Sequence, residues 1–245
     1  MLPMLGAAGI TLDRTAGQLG PRTLASAICE RIRAEIIAAD LMPGQKLNIS
    51  LLAKRFSVSL AAVREALSRL VSDGLVEALD QKGFRVRAVS PRDLLDLTRT
   101  RIEIEGLALR HSIEQGGPAW EAEVRAAHER LLALPRLDPI GEPRCSDAWA
   151  REHRLFHEAL VGACDSSWLL AFRTILHEQS ERYRRLSTPL APSERDVEGE
   201  HRRIVEAVLA RDVEATLRAI ADHFQRTTDI ILAATPVLLG DALAA

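Results

Sequence analysis

The sequence predicts a mainly α-helical protein in two parts: an N-terminal winged helix-turn-helix, three helices with a small β-hairpin wing, followed by an all-α helical bundle. Three observations predict it. Apolar residues recur at helical spacing through most of the chain. The run Phe84-Arg85-Val86-Arg87-Ala88-Val89 instead alternates apolar and polar residues as a strand does. Charge also divides the chain. Residues 21–90 carry 11 Lys+Arg against 7 Asp+Glu and contain every lysine, whereas residues 91–245 carry 20 Arg against 26 Asp+Glu and all seven histidines. The overall charge of −2 therefore hides a basic part suited to a polyanion and an acidic part rich in groups that bind metals or small acids.

The 245 residues, 47% hydrophobic and 27% charged, suffice for a core and exclude a disordered chain. Cys29, Cys145 and Cys164 form no Cys-x-x-Cys pair, which argues against a disulfide framework and a thiolate zinc site and suits a reducing cytoplasm. No apolar run approaches the roughly 20 residues that span a bilayer, so no membrane partner is expected. Residues 1–20 lack the basic start of a secretory signal and are expected to be a disordered tail.

In the basic part (21–90), Leu24, Ile28, Ile32 and Ile36 mark one buried face of a first helix that starts at Pro21 and stops near Asp40. After the Pro43-Gly44 turn, residues 51–56 form a short second helix, with Leu52 and Phe56 one turn apart. Ser57-Val58-Ser59 is a tight connection, and Ser59 can cap the third helix. There Val63, Ala66, Leu67 and Leu70 share a stripe that leaves Arg64, Ser68 and Arg69 toward the polar side, until Asp73-Gly74 ends it. Two helices so joined lay the second in a DNA major groove. Strands over 75–79 and 84–89 then enclose Asp80-Gln81-Lys82-Gly83, a wing whose Lys82 and Arg85 can reach phosphates or the minor groove. Lys54 counts with these DNA-binding residues.

Ser90-Pro91 opens the acidic bundle (91–235), which a short tail (236–245) follows. Leu94, Leu97, Ile102, Leu107 and Leu109 give apolar spacings. Breaks at Gly116-Gly117-Pro118, 134–143 and 188–192 leave six or seven helices, with room for an interior pocket. His153 and His157, at i and i+4, lie on one helix face, and His201 and His223 fall on two successive helices joined by a short turn. Four imidazoles can thus converge from three helices, either on a divalent metal or as a polar network around water or ligand. Arg101 can meet a carboxylate bidentately or pair with Glu105 on the surface. Gln179, Arg182 and Tyr183 offer further donors, while Trp120, Trp149 and Trp168 are expected in core or bundle-end packing.

The segment Leu41-Met42-Pro43-Gly44-Gln45-Lys46-Leu47, then Val58-Ser59 with Val63-Arg64-Glu65-Ala66-Leu67-Ser68-Arg69-Leu70, then Asp73-Gly74-Leu75-Val76 resembles the GntR family of bacterial transcription regulators. The resemblance assigns DNA contacts to Ser59 and Arg64 and the wing glycine to Gly83. Where the family usually has Arg-Thr-Pro or Arg-Thr-Thr, this chain has Leu60-Ala61-Ala62, so Leu60 and Ala61 are expected against thymine methyl groups. The acidic part resembles the FCD effector domain of the FadR-like branch. That implies metal ligands at His157, His201 and His223, with His153 where most relatives carry Asp, an ion such as zinc or nickel, and Arg101 facing a bound carboxylate. His153, with Gln179 and Tyr183 as donors from a facing helix, is counted with Arg101 in the expected effector site. Lys46-Leu47 with Ser50-Leu51-Leu52, residues 81–86, Trp120-Glu121-Ala122, His153 and Arg182-Tyr183-Arg184 resemble a subgroup of carbon-starvation-induced, glutarate-responsive repressors.

The expected function is that of a homodimeric, non-enzymatic repressor that grips a pseudo-palindromic double-stranded operator and releases it when a small carboxylic acid, a glutarate-like dicarboxylate, binds the bundle. Two alternatives stand beside it: a regulator whose signal is the metal, and a metal-dependent hydrolase. The hydrolase reading lacks a general base, since Glu152 points about 100° away from His153 on a helix.

Overall fold

The structure, a computed structural model, describes residues 21–80, 82–138, 145–187 and 195–243. The expected N-terminal tail lies outside them, as do residues 139–143 and 188–192 of the expected breaks. The chain forms two compact units, one of residues up to 34 with 45–86, the other of residues 35–44 with those from 87 onward.

In the first unit, α1 (Pro21–Ile37) buries Ala25, Ile28 and Ile32. Helix α2 (Ile49–Phe56) starts ahead of the expected Leu51, because the Asn48 side chain accepts from Leu51 N at 3.0 Å and caps it. It ends at Ser57 in the left-handed conformation (φ 55°). Helix α3 (Leu60–Ser72) has the expected cap, Ser59 Oγ accepting from Ala62 N at 3.2 Å, and buries Val63, Ala66, Leu67 and Leu70. Gly74 then turns the chain at φ 70°, where a Cβ would be strained.

The strands are β1 (Lys46–Leu47), β2 (Val76–Leu79) and β3 (Gly83–Val86), antiparallel in the order β1-β3-β2. Two differences from the sequence reading follow from pairing. Two residues are too few to show alternation, so β1 was not expected. Val86 pairs with Val76, the first residue of β2, so the expected continuation over 87–89 has no partner.

The second unit contains α4 (Pro91–Gln115), α5 (Pro118–Leu132), α6 (Asp147–Leu160), α7 (Ser167–Ser187), α8 (Val197–Leu209) and α9 (Val213–Leu243). Helix α4 packs on α7 and α9, α8 on α9, and α5 on α6 and α8. Leu109, Ile113, Val124, Phe156, Leu160, Ile204, Val208, Ile220 and Phe224 lie in one apolar core. Helix α9 continues past the expected boundary at 235, through Pro236 and Gly240. Leu107 is exposed, against expectation, because the buried stripe of α4 runs through Leu94, Thr98, Glu105, Leu109 and Ser112. Trp168 is 75% exposed rather than packed in the core, with its ring centroid 6.2 Å from that of Phe172 one turn on. Trp120 and Trp149 are buried as expected.

Candidate metal centre and DNA-reading surface

On the first unit the start of α3 presents Leu60, Ala61 and Arg64 to solvent after the exposed cap Ser59, while Lys54 on α2 and Lys82 at the wing tip are also exposed. Gly83 takes φ 91° as it enters β3, and no atom stands within 4 Å of where its Cβ would lie. Two expected DNA-binding residues are held within the fold. Arg69 bonds Ser26 Oγ at 2.8 Å and Glu65 Oε1 at 2.6 Å, turning its guanidinium toward α1. Arg85 pairs with Glu77, directly opposite in the sheet register, at 2.8 Å.

In the bundle, His153 and His157 lie one turn apart on α6, His201 on α8 and His223 on α9. All four are buried, and one ligand atom from each can be chosen so that all lie within 4.8 Å of one another. The ring centroids of His153 and His157 are 4.6 Å apart, those of His201 and His223 4.8 Å. Burial, followed by the charges of their basic neighbours, holds His153, His157 and His201 well below the ordinary histidine range. They are therefore unprotonated at neutral pH, with lone pairs free to coordinate. His153 Nδ1, both nitrogens of His157 and His201 Nε2 are buried without a hydrogen-bond partner. Each such orphan costs about 1–3 kcal/mol, a penalty that coordination removes.

His223 is oriented differently: its Nδ1 lies 2.7 Å from Glu200 Oε2, and Arg195 bonds the same carboxylate through Nε and Nη2 at 3.1 and 2.9 Å. Burial acts to raise the Glu200 carboxyl, but the bonds from His223 and Arg195 outweigh it and take it down to about 2. An ionised carboxylate on one imidazole nitrogen fixes the ring so that the other faces the cluster. Four neutral nitrogen donors backed by one carboxylate fit zinc, nickel, cobalt or copper, and do not fit magnesium or calcium, which take oxygen.

Beside the cluster lies a cavity of about 30 Å³ lined by Thr98, Arg101, His153, His177, Arg184 and His223, among others. It has room for about two waters. The Arg101 guanidinium carbon stands 3.7 Å from the Phe224 ring centroid and its Nη2 lies 3.3 Å from His177 Nδ1. Burial pulls Arg101 down to about 10, so it stays charged at neutral pH. The expected surface pair with Glu105 is not formed: Glu105 is wholly buried and accepts from Arg173 Nε at 3.0 Å. Gln179 and Tyr183 do not line the cavity. Gln179 Oε1 accepts from Arg182 at 3.3 Å, and Tyr183 donates to Asp93 Oδ2 at 2.8 Å while accepting from Ser90 N at 3.4 Å, beside the start of α4.

The sequence reading missed His177 and Arg184. A signal was present: Arg173, His177, Glu181 and Arg184 recur at helical spacing, and this polar stripe is the buried one, while Trp168, Phe172 and Ile175 face outward. A polar stripe opposite an apolar one is ordinarily assigned to solvent, which is why it was passed over.

Residues 24–86 match the GntR family of bacterial regulatory proteins, and residues 96–226 match the FCD domain. The chain is 38% identical to BphR, an uncharacterized HTH-type transcriptional regulator of Paraburkholderia xenovorans LB400, over 86% of either chain. It is 33% identical to the HTH-type transcriptional repressor GlaR of Escherichia coli K12, over 82% of this chain and 92% of that one. The fold is shared with E. coli McbR/YncC (TM-score 0.69, 24% identity, 86% of this chain and 98% of that one). It is also shared with a transcriptional regulator GntR from Rhodococcus sp. RHA1 (TM-score 0.69, 19% identity, 86% and 99%). These are regulators, not hydrolases, and no described helix is long and apolar enough to cross a membrane. With a winged helix-turn-helix head and a bundle gathering four histidines, the chain belongs to the GntR family of DNA-binding, non-enzymatic regulators, in the group that carries an FCD domain.

Proposed function

We propose that this protein is a metal-responsive transcription regulator, a homodimer whose paired winged heads hold a pseudo-palindromic operator according to whether the four-histidine centre is loaded. The observation that carries this reading is the set of four buried, unprotonated imidazoles, three of which keep buried nitrogens without partners. His153, His157, His201 and His223 would hold the ion, with Glu200 and Arg195 fixing His223 behind it. When bound, a zinc or nickel ion supplies a positive, Lewis-acidic centre joining α6, α8 and α9. The apolar side of α7, with Trp168, Phe172 and Ile175 exposed, favours a second copy as its cover. Ser59, Leu60, Ala61 and Arg64 would read bases, and Lys54 and Lys82 would meet phosphates; Arg69 and Arg85 would join only by exchanging their present ion-pair partners.

A second reading, in which a short carboxylic acid such as glutarate is the signal, has Arg101 and Arg184 beside the same histidines in its favour. Against it stands the 30 Å³ cavity, which admits about two waters, so an acid of that size requires Arg101, His177 or Arg184 to swing aside. Either signal works only through a difference in affinity between the DNA-competent and DNA-incompetent states.

Mobility-shift titrations with the protein's own promoter DNA separate these readings. Under the metal reading, chelator or added zinc or nickel changes operator affinity at least about tenfold, a coupling of about 1.4 kcal/mol, without any organic acid, and His157→Ala abolishes the change. Operator affinity that responds to short dicarboxylates and ignores metal and chelator would overturn it in favour of the acid.

A further inference from the structure

A second cluster of donors lies on the same bundle, away from the four histidines. His111, near the end of α4, meets Cys164 and Asp165, in the turn between α6 and α7, and one ligand atom from each lies within 4.8 Å of the others. His111 Nδ1 is 3.1 Å from Asp165 Oδ1. The Cys164 backbone N–H bonds Val161 O at 3.0 Å, which fixes the turn that brings the thiol to the imidazole. Cys164 is buried, whereas the His111 and Asp165 side chains are 40% and 71% exposed, so the donors form a half-open cup with a solvent-facing mouth.

We propose that His111, Cys164 and Asp165 form a second metal site, for zinc or a similar borderline ion, with its fourth position open to solvent. An imidazole–carboxylate pair alone is an ordinary surface contact; the sulfur within reach of both makes the set a metal ligand set. One thiolate, one imidazole and one carboxylate are the donor types zinc takes, and three protein ligands with one free position are what an accessible site provides. Hard ions such as magnesium and calcium are excluded by the sulfur and nitrogen donors. Ligands about 2.0–2.3 Å from a tetrahedral ion stand roughly 3.3–3.8 Å from one another, so separations of up to 4.8 Å close by at most about 1.5 Å. The Cys164 thiol gives its proton to solvent as its sulfur takes up the ion.

The location gives the site a consequence. Helix α4 carries Arg101 and α7 carries His177 and Arg184, which all line the central cavity. An ion held by His111 from α4 and by the two residues that lead into α7 pins these helices together at one end. The site does not depend on the four-histidine centre, which contains no sulfur.

That difference supplies the test. Reduced, metal-free, full-length protein is titrated with cobalt(II) and followed by absorption. A cobalt ion at four imidazoles gives only weak d–d bands, whereas cobalt on Cys164 adds an intense near-ultraviolet thiolate-to-metal charge-transfer band. The band is expected to reach its full height only when both sites are filled, at about two equivalents per chain, to vanish in Cys164→Ser, and to persist in His157→Ala. Cobalt affinity read from this band is expected to fall at least about tenfold in both His111→Gln and Asp165→Asn, which keep the thiol. If Cys164→Ser does not fold, as judged by circular dichroism, the other two variants decide. The proposal is overturned by absence of the band at saturating cobalt, by its survival in folded Cys164→Ser, or by unchanged affinity in either His111→Gln or Asp165→Asn.

Discussion

The two units bury different kinds of side chain. In the head, Ala25, Ile32, Val63, Ala66, Leu67, Leu70 and Leu75 are among the fully enclosed residues, and the groups proposed to read DNA at the start of α3 are outside. In the bundle, Glu105, Arg173, His153, His157, His177, His201 and Glu200 are enclosed as deeply as the leucines. A recognition surface can be laid over an ordinary apolar core, because its ligand never enters the protein. A receptor for an ion or small acid must instead carry its polar groups inside, where each costs stability unless it finds a partner. The bundle accepts that cost at these groups and recovers stability in its apolar core, around Leu109, Phe156 and Ile204.

The sharpest way to break this comparison is to disturb the buried pair Glu105–Arg173. Glu105→Gln leaves a guanidinium charge buried without its counterion and is expected to destabilise the bundle by about 3–5 kcal/mol, measured by urea unfolding. Replacing both, Glu105→Leu with Arg173→Met, should restore most of that loss, since two apolar groups need no partner. A double variant as unstable as the single one would mean that the pair is a stabilising element rather than a functional burden.

A smaller effect tests the head. Arg64→Ala, at an exposed position of α3, should leave the melting temperature unchanged and weaken operator binding by about 1–3 kcal/mol if it reads a base. If Arg64 only meets a phosphate, all DNA sequences weaken together and the salt dependence becomes shallower.

The smallest effect concerns Tyr183, the single tyrosine of the chain. Burial, then its hydrogen bond to Asp93, pushes its hydroxyl up to about 12 from the ordinary 10. A folded-state value above the unfolded one means that the tyrosine's contribution is complete below about pH 10 and lost as the pH climbs toward 12. Phenolate absorbance should therefore titrate near 12 in folded protein and near 10 in urea, and Tyr183→Phe should remove the signal. A midpoint of 10 in the folded protein would show the hydroxyl to be in water.

Much of this was legible in the amino acids. The cap Ser59, the helix stop at Asp73-Gly74 and the stripes of α1 and α3 are local: each depends on residues within a turn or two, so spacing alone states them. The His153–His157 pair is equally local, and the 22 residues from His201 to His223 required only that a short turn join two helices. What was not legible depended on partners distant in sequence. Arg101 stands four residues before Glu105, yet Glu105 takes Arg173 of α7 instead. Tyr183 lies among candidate effector donors in sequence, yet its hydroxyl reaches Asp93 on α4. Trp168 reads as core or bundle-end packing, yet α7 turns that side outward and leaves it 75% exposed.

The sequence by itself determined that the chain is mainly helical, where its first and third helices lie, and that four imidazoles lie on helices able to meet, because backbone periodicity and capping are short-range. Only the tertiary structure decided which face of α7 is inside. That choice turns a stripe that would otherwise be solvated inward, so that His177, Glu181 and Arg184 line the cavity and Arg173 reaches the buried Glu105. The rotation of a helix about its axis is set by the helices packed against it, and its own sequence carries only half of that contact.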